Sequence, residues 1–357
     1  MKTSFRAYPS ALWRAIRVAI RGFIRNPQAV LLLAACPTPK SDRLLVAVLT
    51  AMASASAVAQ TFPVKPVRLV VAFAPGGATD TFSRVTAAEM SKSLGQQVLV
   101  ENRPGAGTTI AAEFIAKSPP DGYTLLFTDL STHAITPSIY PKLPYHPLRD
   151  FVAVAPVSVS PMIMVAHPSV GVKSARELIA LAKKHPGITC GNAGIGTVTH
   201  MASEKFRMRA GIDLTPVNYK GGATSTISLL TGEIALIVTT IPAALEYVRT
   251  KRLVAIGLTA EKRSALLPDI PALGETVKGV EAAVIAGVLA PAATPRAVIE
   301  RLNAEFARAV DSPRAREIFA VNAAEAMKTS PEAMQRSLEQ DVKTWAEVVK
   351  ATGVKLQ

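Results

Sequence analysis

The feature that most constrains this chain is a repeated alternation of apolar strand, glycine-containing loop and helix from Pro66 onward. Residues 67–73 form a nearly continuous apolar run, which is typical of a strand covered on both faces. Pro75-Gly76-Gly77 interrupts this run, and a predicted helix follows over residues 80–94, with Gly95 as its terminating residue. Because the pattern recurs at roughly 30-residue spacing, it predicts βαβ units in a doubly wound α/β sheet.

The pattern restarts after a proline-rich stretch at residues 137–147, which predicts two α/β domains. We expect domain 1 to comprise residues 60–163 and 284–357 and domain 2 to comprise residues 164–283, with a hinge near residues 160–165 and 280–286. The last two helices are expected to pack on domain 1.

Further strands are predicted at residues 97–101, 123–128, 161–167, 189–193, 214–219, 234–240, 254–259 and 284–290. Further helices are predicted at residues 108–117, 175–184, 197–210, 223–230, 296–310 and 330–351.

Composition and charge separate the first 59 residues from the rest. The chain has 357 residues, 49% of them hydrophobic and 18% charged, which excludes a disordered or fibrous protein. Half of the formal net charge of +14 lies in residues 1–59, so the folded part is less basic than the whole chain suggests. Aromatic residues make up only 5%, which argues against stacking on single-stranded nucleic acid. We therefore expect no nucleic-acid partner.

Residues 1–59 are interpreted as an export segment. Lys40 and Arg43 precede an apolar run at residues 44–52, and small residues lead to Ala57-Val58-Ala59. This order predicts a Sec signal peptide that is cleaved after Ala59 and a mature protein in the periplasm. The alternative is a lipoprotein box that ends at Cys36. Two signals in tandem are best explained if residues 1–39 belong to an over-extended gene model.

Glycine lies directly before a predicted helix start in three places, around Gly77, Gly107 and Gly196. Helix N-termini expose unpaired N–H groups and carry partial positive charge, and glycine allows a ligand to approach the backbone closely. Such sites bind anions without a cationic side chain. Three of them in one chain favour a shared cleft for a small carboxylate. Lys220 either supplies a charge to that carboxylate or is a solvated loop lysine.

Motifs for catalysis and cofactors are missing from the sequence. Gly194-Ile195-Gly196 is not followed by the third glycine of a dinucleotide fingerprint, and no P-loop or G-x-S-x-G motif occurs. Of the five histidines, His133 and His200 are placed to face the cleft, where positioning a loop is favoured over proton transfer. Once the signal is removed, Cys190 is the only cysteine, so neither a disulfide nor zinc spacing is possible. We expect no enzyme activity, no cofactor and no metal.

Several stretches resemble the substrate receptors of tripartite tricarboxylate transporters, also called Bug-type periplasmic receptors. The resemblance covers about residues 62–357. The matching stretches, in family order, are residues 73–80 (FAPGGATD), 100–107 (VENRPGAG), 119–126 (PPDGYTLL), 191–200 (GNAGIGTVTH), 219–222 (YKGG) and 289–295 (LAPAATP).

The resemblance implies a two-domain Venus-flytrap fold of the type II periplasmic-binding class, α/β, in which each domain is a mixed or parallel sheet flanked by helices. It implies a carboxylate held mainly by backbone N–H groups and bridging waters, and membrane permease subunits as partners of a monomeric receptor. The predicted site residues are Phe73, Gly77, Ala78, Thr79, Asp80, Ala106, Gly107, Thr108, Ser131, Thr132, Gly196, Thr197 and His200. Asp80 is interpreted as a helix cap, because a carboxylate would repel an anion; the alternative is that it pairs with a ligand ammonium group.

The sequence departs from the family pattern at a few positions and leaves other functions open. Asn192 and Asn218 replace the usual Ser and Pro, and Ala235 stands where an acidic residue is common, which puts a contact to a ligand amino group in doubt. The alternatives are a sensor partner of a membrane signalling system and a secreted α/β hydrolase or transferase. Backbone N–H groups recognise any carboxylate, so the sequence does not identify one.

Overall fold

The computed structural model describes residues 62–354, in which ten strands form one mixed sheet with helices packed against it. The predicted export segment, with the cleavage sites at Ala59 and Cys36, lies outside the described residues. The strands are β1 Val67–Val71, β2 Val98–Asn102, β3 Thr124–Asp129, β4 Phe151–Ala166, β5 Ile188–Asn192, β6 Leu214–Asn218, β7 Leu236–Thr240, β8 Val254–Leu258, β9 Ala283–Pro291 and β10 Glu325–Ala326. The helices are α1 Ala78–Leu94, α2 Thr109–Ala116, α3 Leu130–Ile139, α4 Ala175–Lys184, α5 Val198–Ala210, α6 Gly222–Leu230, α7 Ile241–Arg249, α8 Arg296–Val310, α9 Pro313–Val321 and α10 Pro331–Thr352.

The strand order along the sheet is β2-β1-β3-β9-β4-β7-β5-β6, and both β8 and β10 pair with β4. β1 is parallel to β2 and β3, and β5 is parallel to β6 and β7. β9 runs antiparallel to β3 and β4, so the two parallel groups are joined through antiparallel strands. The carboxyl ends of parallel strands are where α/β proteins place their binding loops. The topology therefore directs attention to the loops after β1, β2, β5 and β6.

Strand β4 changes partners along its length. Residues 151–161 pair with β9, whereas residues 162–166 pair with β7 and, over 163–166, with β8. Pro161 pairs with Ala283 in β9, so the two points where the chain passes between the two groups of strands lie side by side. The sequence predicted only residues 161–167 as a strand here, because Pro156, Ser158 and Ser160 interrupt the apolar run. The domain limits themselves remain a prediction.

The C-terminal helices pack on elements from the first third of the described chain. In the core, the ring of Phe319 on α9 lies edge-on to Phe82 on α1, with ring centroids 5.0 Å apart. The hydroxyl of Ser93 on α1 donates a hydrogen bond of 2.6 Å to the buried carboxylate of Glu305 on α8. On α10, Gln335 accepts a hydrogen bond from the backbone N–H of Ala153 in β4.

Helix ends follow local sequence signals in most places. Gly95 and Gly211 end α1 and α5 in the left-handed conformation, and Ser174 accepts the backbone N–H of Glu177 at the start of α4. At the start of α8, Thr294-Pro295 predicts Thr294 as the N-cap with proline in the first helical position. This prediction is wrong in detail: Pro295 is the N-cap, and the hydroxyl of Thr294 donates to the carbonyl of Pro291 instead. Within residues 62–354, every helix is too short or too polar to cross a membrane.

Candidate functional site

The loops that follow the parallel strands meet in one cleft, where they make direct contacts with each other. The backbone N–H of Ala78, at the start of α1, donates a hydrogen bond of 3.1 Å to the hydroxyl of Thr240. The backbone N–H of Val198, at the start of α5, donates a hydrogen bond of 3.0 Å to the hydroxyl of Thr132. These bonds join residues that are 162 and 66 positions apart in the chain. Two adjoining cavities lie between the loops.

The inner cavity has a volume of about 20 Å³, which is room for about one water molecule. Five threonines contribute to its wall: Thr79, Thr132, Thr197, Thr199 and Thr240. Among residues 62–354, Asp129 is the only charged residue that lines it. The inner cavity is therefore small, and its one charged group is acidic.

Asp129 is fully buried at the end of β3, where it caps helix α3. Its Oδ1 accepts the backbone N–H groups of Ser131 and Ile285, and its Oδ2 accepts both the backbone N–H and the hydroxyl of Thr132. Burial raises the pKa of Asp129 to about 6, against the opposing effect of hydrogen bonds from Thr132, Ile285 and Ser131. All four acceptor positions of this carboxylate are used within the protein. Asp129 consequently has no acceptor left for a ligand, while its charge still acts on the cavity.

The outer cavity has a volume of about 200 Å³ and lies between the loops after β2, β5 and β6. It shares Phe73, Ala193 and Thr197 with the inner cavity, so the two cavities adjoin. Within the described part of the chain, Lys220 is the only charged residue that lines it. The cleft therefore has an acidic inner end and a basic outer end.

The loop after β2 carries unusual backbone geometry at the wall of the outer cavity. Gly105, Ala106, Gly107 and Thr108 all have positive φ, with values of 132°, 45°, 57° and 80°. For a β-branched residue such as Thr108 this region is a clear outlier that costs about 1–3 kcal/mol and is most often retained at functional sites. The Thr108 side chain is 2% exposed, makes no cap hydrogen bond to α2, and has no partner for its hydroxyl.

The loop after β5 is organised differently, because its polar groups bond to one another. The Thr197 hydroxyl donates to the carbonyl of Gly194 at 2.7 Å and accepts the backbone N–H of His200. The backbone N–H of Ala193 donates to Thr199, and the backbone N–H of Gly196 donates to the imidazole Nδ1 of His200. The loop after β5 therefore uses these polar groups for hydrogen bonds within itself, at the edge of both cavities.

Nine of the thirteen predicted site residues line one or both cavities. The inner cavity takes Gly77, Ala78, Thr79 and Thr132, the outer cavity takes Ala106, Gly107 and Thr108, and both take Phe73 and Thr197. The other four, Asp80, Ser131, Gly196 and His200, lie outside both walls. As a group, these residues remain a predicted binding site.

The four residues outside the walls have internal roles. Asp80 accepts hydrogen bonds from the backbone of Gly76 and from the side chains of Arg84 and Asn102. Burial would raise the pKa of Asp80, but these hydrogen bonds outweigh it and leave that pKa below its ordinary value. The Ser131 hydroxyl donates to the carbonyl of Ala283. His200 is buried, which lowers its pKa and keeps it neutral beside the backbone N–H of Gly196.

His133 and Cys190 are also buried and do not line either cavity. The Nε2 of His133 donates to the carbonyl of Pro147, and burial lowers the pKa of His133 to about 4. Burial raises the pKa of the Cys190 thiol to about 12, so this cysteine stays protonated within β5. Among residues 62–354, no group of three or more His, Cys, Asp or Glu side chains is placed to hold a metal ion.

Sequence reasoning missed Asp129, Tyr140 and Thr240 as cavity residues. Two of them carry a signal that was available. Asp129 stands at a strand end two and three residues before Ser131 and Thr132, which is the spacing of a helix N-cap. Thr240 precedes Ile241-Pro242, where proline near a helix start marks the first turn of α7.

Comparison with known proteins places this chain in a family. Residues 82–354 match the model of the tripartite tricarboxylate transporter family receptor. Protein BugT of Bordetella pertussis is 34% identical over 311 residues, which cover 86% of this chain and 95% of BugT.

Solved structures give the same result for the fold. The structure of the periplasmic binding protein BugD is 32% identical, has a TM-score of 0.79, and matches 83% of this chain and 100% of BugD. An R. palustris protein solved with adipate is also 32% identical, with a TM-score of 0.80 and the same coverage of the two chains. The expected α/β fold of periplasmic binding proteins is thereby confirmed.

Proposed function

This chain belongs to the tripartite tricarboxylate transporter receptor family, and from that premise we propose that it captures a small carboxylate in the cleft and delivers it to the membrane permease subunits of such a transporter. Its family consists of periplasmic solute-binding receptors, so the chain is a periplasmic receptor of this type. The finer claims, which are the carboxylate and its delivery, are proposals.

One observation carries the proposal for the ligand. The outer cavity of about 200 Å³ is bounded by loops from both groups of parallel strands and contains a single charged side chain, the cation Lys220. A cavity of this size at the carboxyl ends of parallel strands suits a small organic acid. The adipate found in the R. palustris relative supports the same class of ligand.

A thermal-shift screen tests the ligand class. The mature chain is incubated with acetate, succinate, malate, adipate, citrate, glutamate and benzoate, each compared with its neutral amide or ester. We expect at least one acid to raise the melting temperature, since bound ligand adds about 2.7 kcal/mol of stability at a hundredfold excess over Kd. No shift with any acid, or equal shifts with acids and neutral analogues, would contradict the proposal. Uptake of the binding acid by cells that lack this gene tests delivery, and unchanged uptake would contradict it.

We propose the hinge near residues 160–165 and 280–286, with domain 1 as residues 60–163 and 284–357. The partner change in β4 between Pro161 and Met162, next to Ala283, supports this division. Distances measured between spin labels on α2 and α6 should shorten when the acid is added. Labels placed on α2 and α8 serve as the control, and we expect no change between them.

A further inference from the structure

Among the described residues, each end of the cleft has one charged residue, and the opposite signs of these two residues give the bound acid a direction. Resting on the proposed function, we propose that Lys220 is the specificity-determining residue that pairs with the ligand carboxylate in the outer cavity, and that the uncharged part of the ligand points toward the inner cavity beside Asp129.

The position of Lys220 is fixed although its side chain is exposed. On one side, the backbone N–H of Tyr219 donates a hydrogen bond of 3.1 Å to the carbonyl of Asn192. On the other, Gly221 lies so close to Ala74 that an added Cβ would be 2.9 Å from the Ala74 side chain. The loop after β6 is thus held against the loops after β5 and β1. This places the Lys220 backbone at the cavity wall.

The charge of Lys220 is available to a ligand. Among residues 62–354, no ion pair or side-chain hydrogen bond of Lys220 occurs, and no other lysine or arginine lines either cavity. The other lysine and arginine side chains nearest in sequence, such as Arg207 and Arg209, lie on helix α5, where Arg207 pairs with Glu204. A carboxylate in the outer cavity therefore has one cationic partner.

A second observation points to the same end of the cleft. The Thr108 hydroxyl is buried and has no partner, and Thr108 lines the outer cavity at the start of α2. Tyr219, on the same wall, also has a buried hydroxyl without a partner. Buried polar groups are nearly always hydrogen-bonded, so these hydroxyls indicate that a polar group of a ligand belongs in the outer cavity.

The inner cavity offers the opposite environment. It holds about one water molecule, and a ligand carboxylate there would lie beside the carboxylate of Asp129, which has used all its acceptor positions. Two like charges at short range in a buried site are costly. The charge of Asp129 and the small volume of the inner cavity therefore both favour a ligand carboxylate in the outer cavity.

The experiment measures affinity for the acids of the screen in Lys220→Met, Lys220→Arg and a control, Lys184→Met. Lys184 is exposed at the end of α4 and lines neither cavity, so it matches the loss of one positive charge without touching the cleft. For every acid that binds the wild type, we expect Lys220→Met to lose about three- to tenfold in affinity. Lys220→Arg should stay within about twofold, and Lys184→Met should match the wild type.

Ionic strength gives a second readout. Affinity of the wild type for these acids should fall with added sodium chloride, and this dependence should be weaker in Lys220→Met. The assignment of Lys220 would be overturned if Lys220→Met bound each acid as the wild type does, or if Lys184→Met lost as much affinity. Either result would leave the proposed function standing. A wild type that binds none of the acids would instead remove the proposed function.

Discussion

The loops after β2 and β5 look alike in the sequence, since each places glycines directly before a hydroxyl residue and a helix. In the structure they differ. The loop after β5 uses its polar groups internally, with Thr197 bonded to Gly194 and His200. The loop after β2 has four residues in left-handed conformations and leaves the Thr108 hydroxyl without a partner. A glycine-rich helix start is therefore not sufficient evidence for a ligand contact; what matters is whether its donors are already used.

The same contrast separates the two cavities. The inner cavity contains Asp129, whose acceptor positions are all used, whereas the outer cavity contains Lys220 and unpartnered hydroxyls. We interpret the inner end as a structural junction between the loops and the outer end as the place where a ligand is recognised. Substitutions at the two ends of the cleft should separate these two roles.

Asp129→Ala should destabilise the fold by about 3–5 kcal/mol, because it removes one buried carboxylate from four donors at once. Urea unfolding followed by circular dichroism measures this change. Asp213→Ala, at an exposed position before β6, is the control and should change the free energy of unfolding by less than about 0.5 kcal/mol. Similar stabilities for the two variants would contradict the structural role of the inner end.

Gly107→Ala should weaken carboxylate binding by more than about tenfold and cost about 2–3 kcal/mol of stability. Its φ is +57°, and an added Cβ would lie 2.8 Å from both the carbonyl oxygen of Ile195 and the hydroxyl of Tyr140. Gly95→Ala is a matched control, since Gly95 has a φ of +65° with nothing within 4 Å. We expect Gly95→Ala to lose only about 1 kcal/mol of stability and no affinity, as measured by calorimetry. Equal affinity loss in both variants would remove Gly107 from the ligand site.

Carboxylate affinity should fall about two- to fivefold as the pH rises from 5 to 8. The raised pKa of Asp129, about 6, means that this group is largely neutral at pH 5 and charged at pH 8, when it repels an anion in the adjoining cavity. Binding near pH 6.5 should therefore take up protons, which calorimetry in two buffers of different ionisation enthalpy detects. In Asp129→Asn both effects should be absent. Unchanged pH dependence in that variant would assign it to another group.

The free energy of unfolding should also depend on pH through Asp129. Since burial raises the pKa of Asp129 in the folded state above its value in the unfolded chain, the folded state binds more protons between about pH 4 and 6. The pH-dependent part of the contribution of Asp129 to stability is therefore largest below pH 4 and is lost as the pH rises toward 6, while its hydrogen bonds to the protein remain. His133 acts in the opposite sense, because its pKa is lowered to about 4 and its unfavourable contribution appears as the pH falls below about 6.5. His200 acts in the same sense as His133, because burial also lowers its pKa. The stability of the wild type should therefore change less steeply with pH than that of Asp129→Asn, which should become more stable as the pH rises.

Thr108→Val should reduce carboxylate affinity by about two- to tenfold while leaving the free energy of unfolding within about 0.5 kcal/mol of the wild type. The hydroxyl has no partner in the protein, so the protein loses no hydrogen bond, and valine keeps the same shape. Thr197→Val should instead affect stability more than affinity. It should lose about 1 kcal/mol in stability, because the Thr197 hydroxyl forms hydrogen bonds with Gly194 and His200. Equal changes in affinity and in the free energy of unfolding for Thr108→Val and Thr197→Val would contradict the distinction between the two loops.

Much of the fold was predictable because its signals are local. The helices Ala175–Lys184 and Arg296–Val310 have the predicted bounds, since a serine cap or a proline precedes a clear apolar periodicity. Helices α3, α7 and α9 were not predicted: α3 contains Pro137, and the other two are short and begin at prolines that resemble turn residues. Proline in the first turn supports a helix as readily as it ends one.

The candidate site was predictable in outline only. Glycine loops at strand ends located most of the cavity residues, because strand ends and helix starts are visible in the sequence. The sequence did not indicate that Asp129 would be fully buried or that the Thr108 hydroxyl would lack a partner. Both depend on contacts between residues far apart in the chain, such as the bond from Ile285 to Asp129.

A crystal structure of the mature chain with a bound acid from the screen would locate the ligand carboxylate. We expect this carboxylate in the outer cavity, within about 4 Å of the Lys220 ammonium and close to Thr108, with no carboxylate in the inner cavity. A carboxylate seated in the inner cavity beside Asp129, with Lys220 directed into solvent, would contradict this expectation.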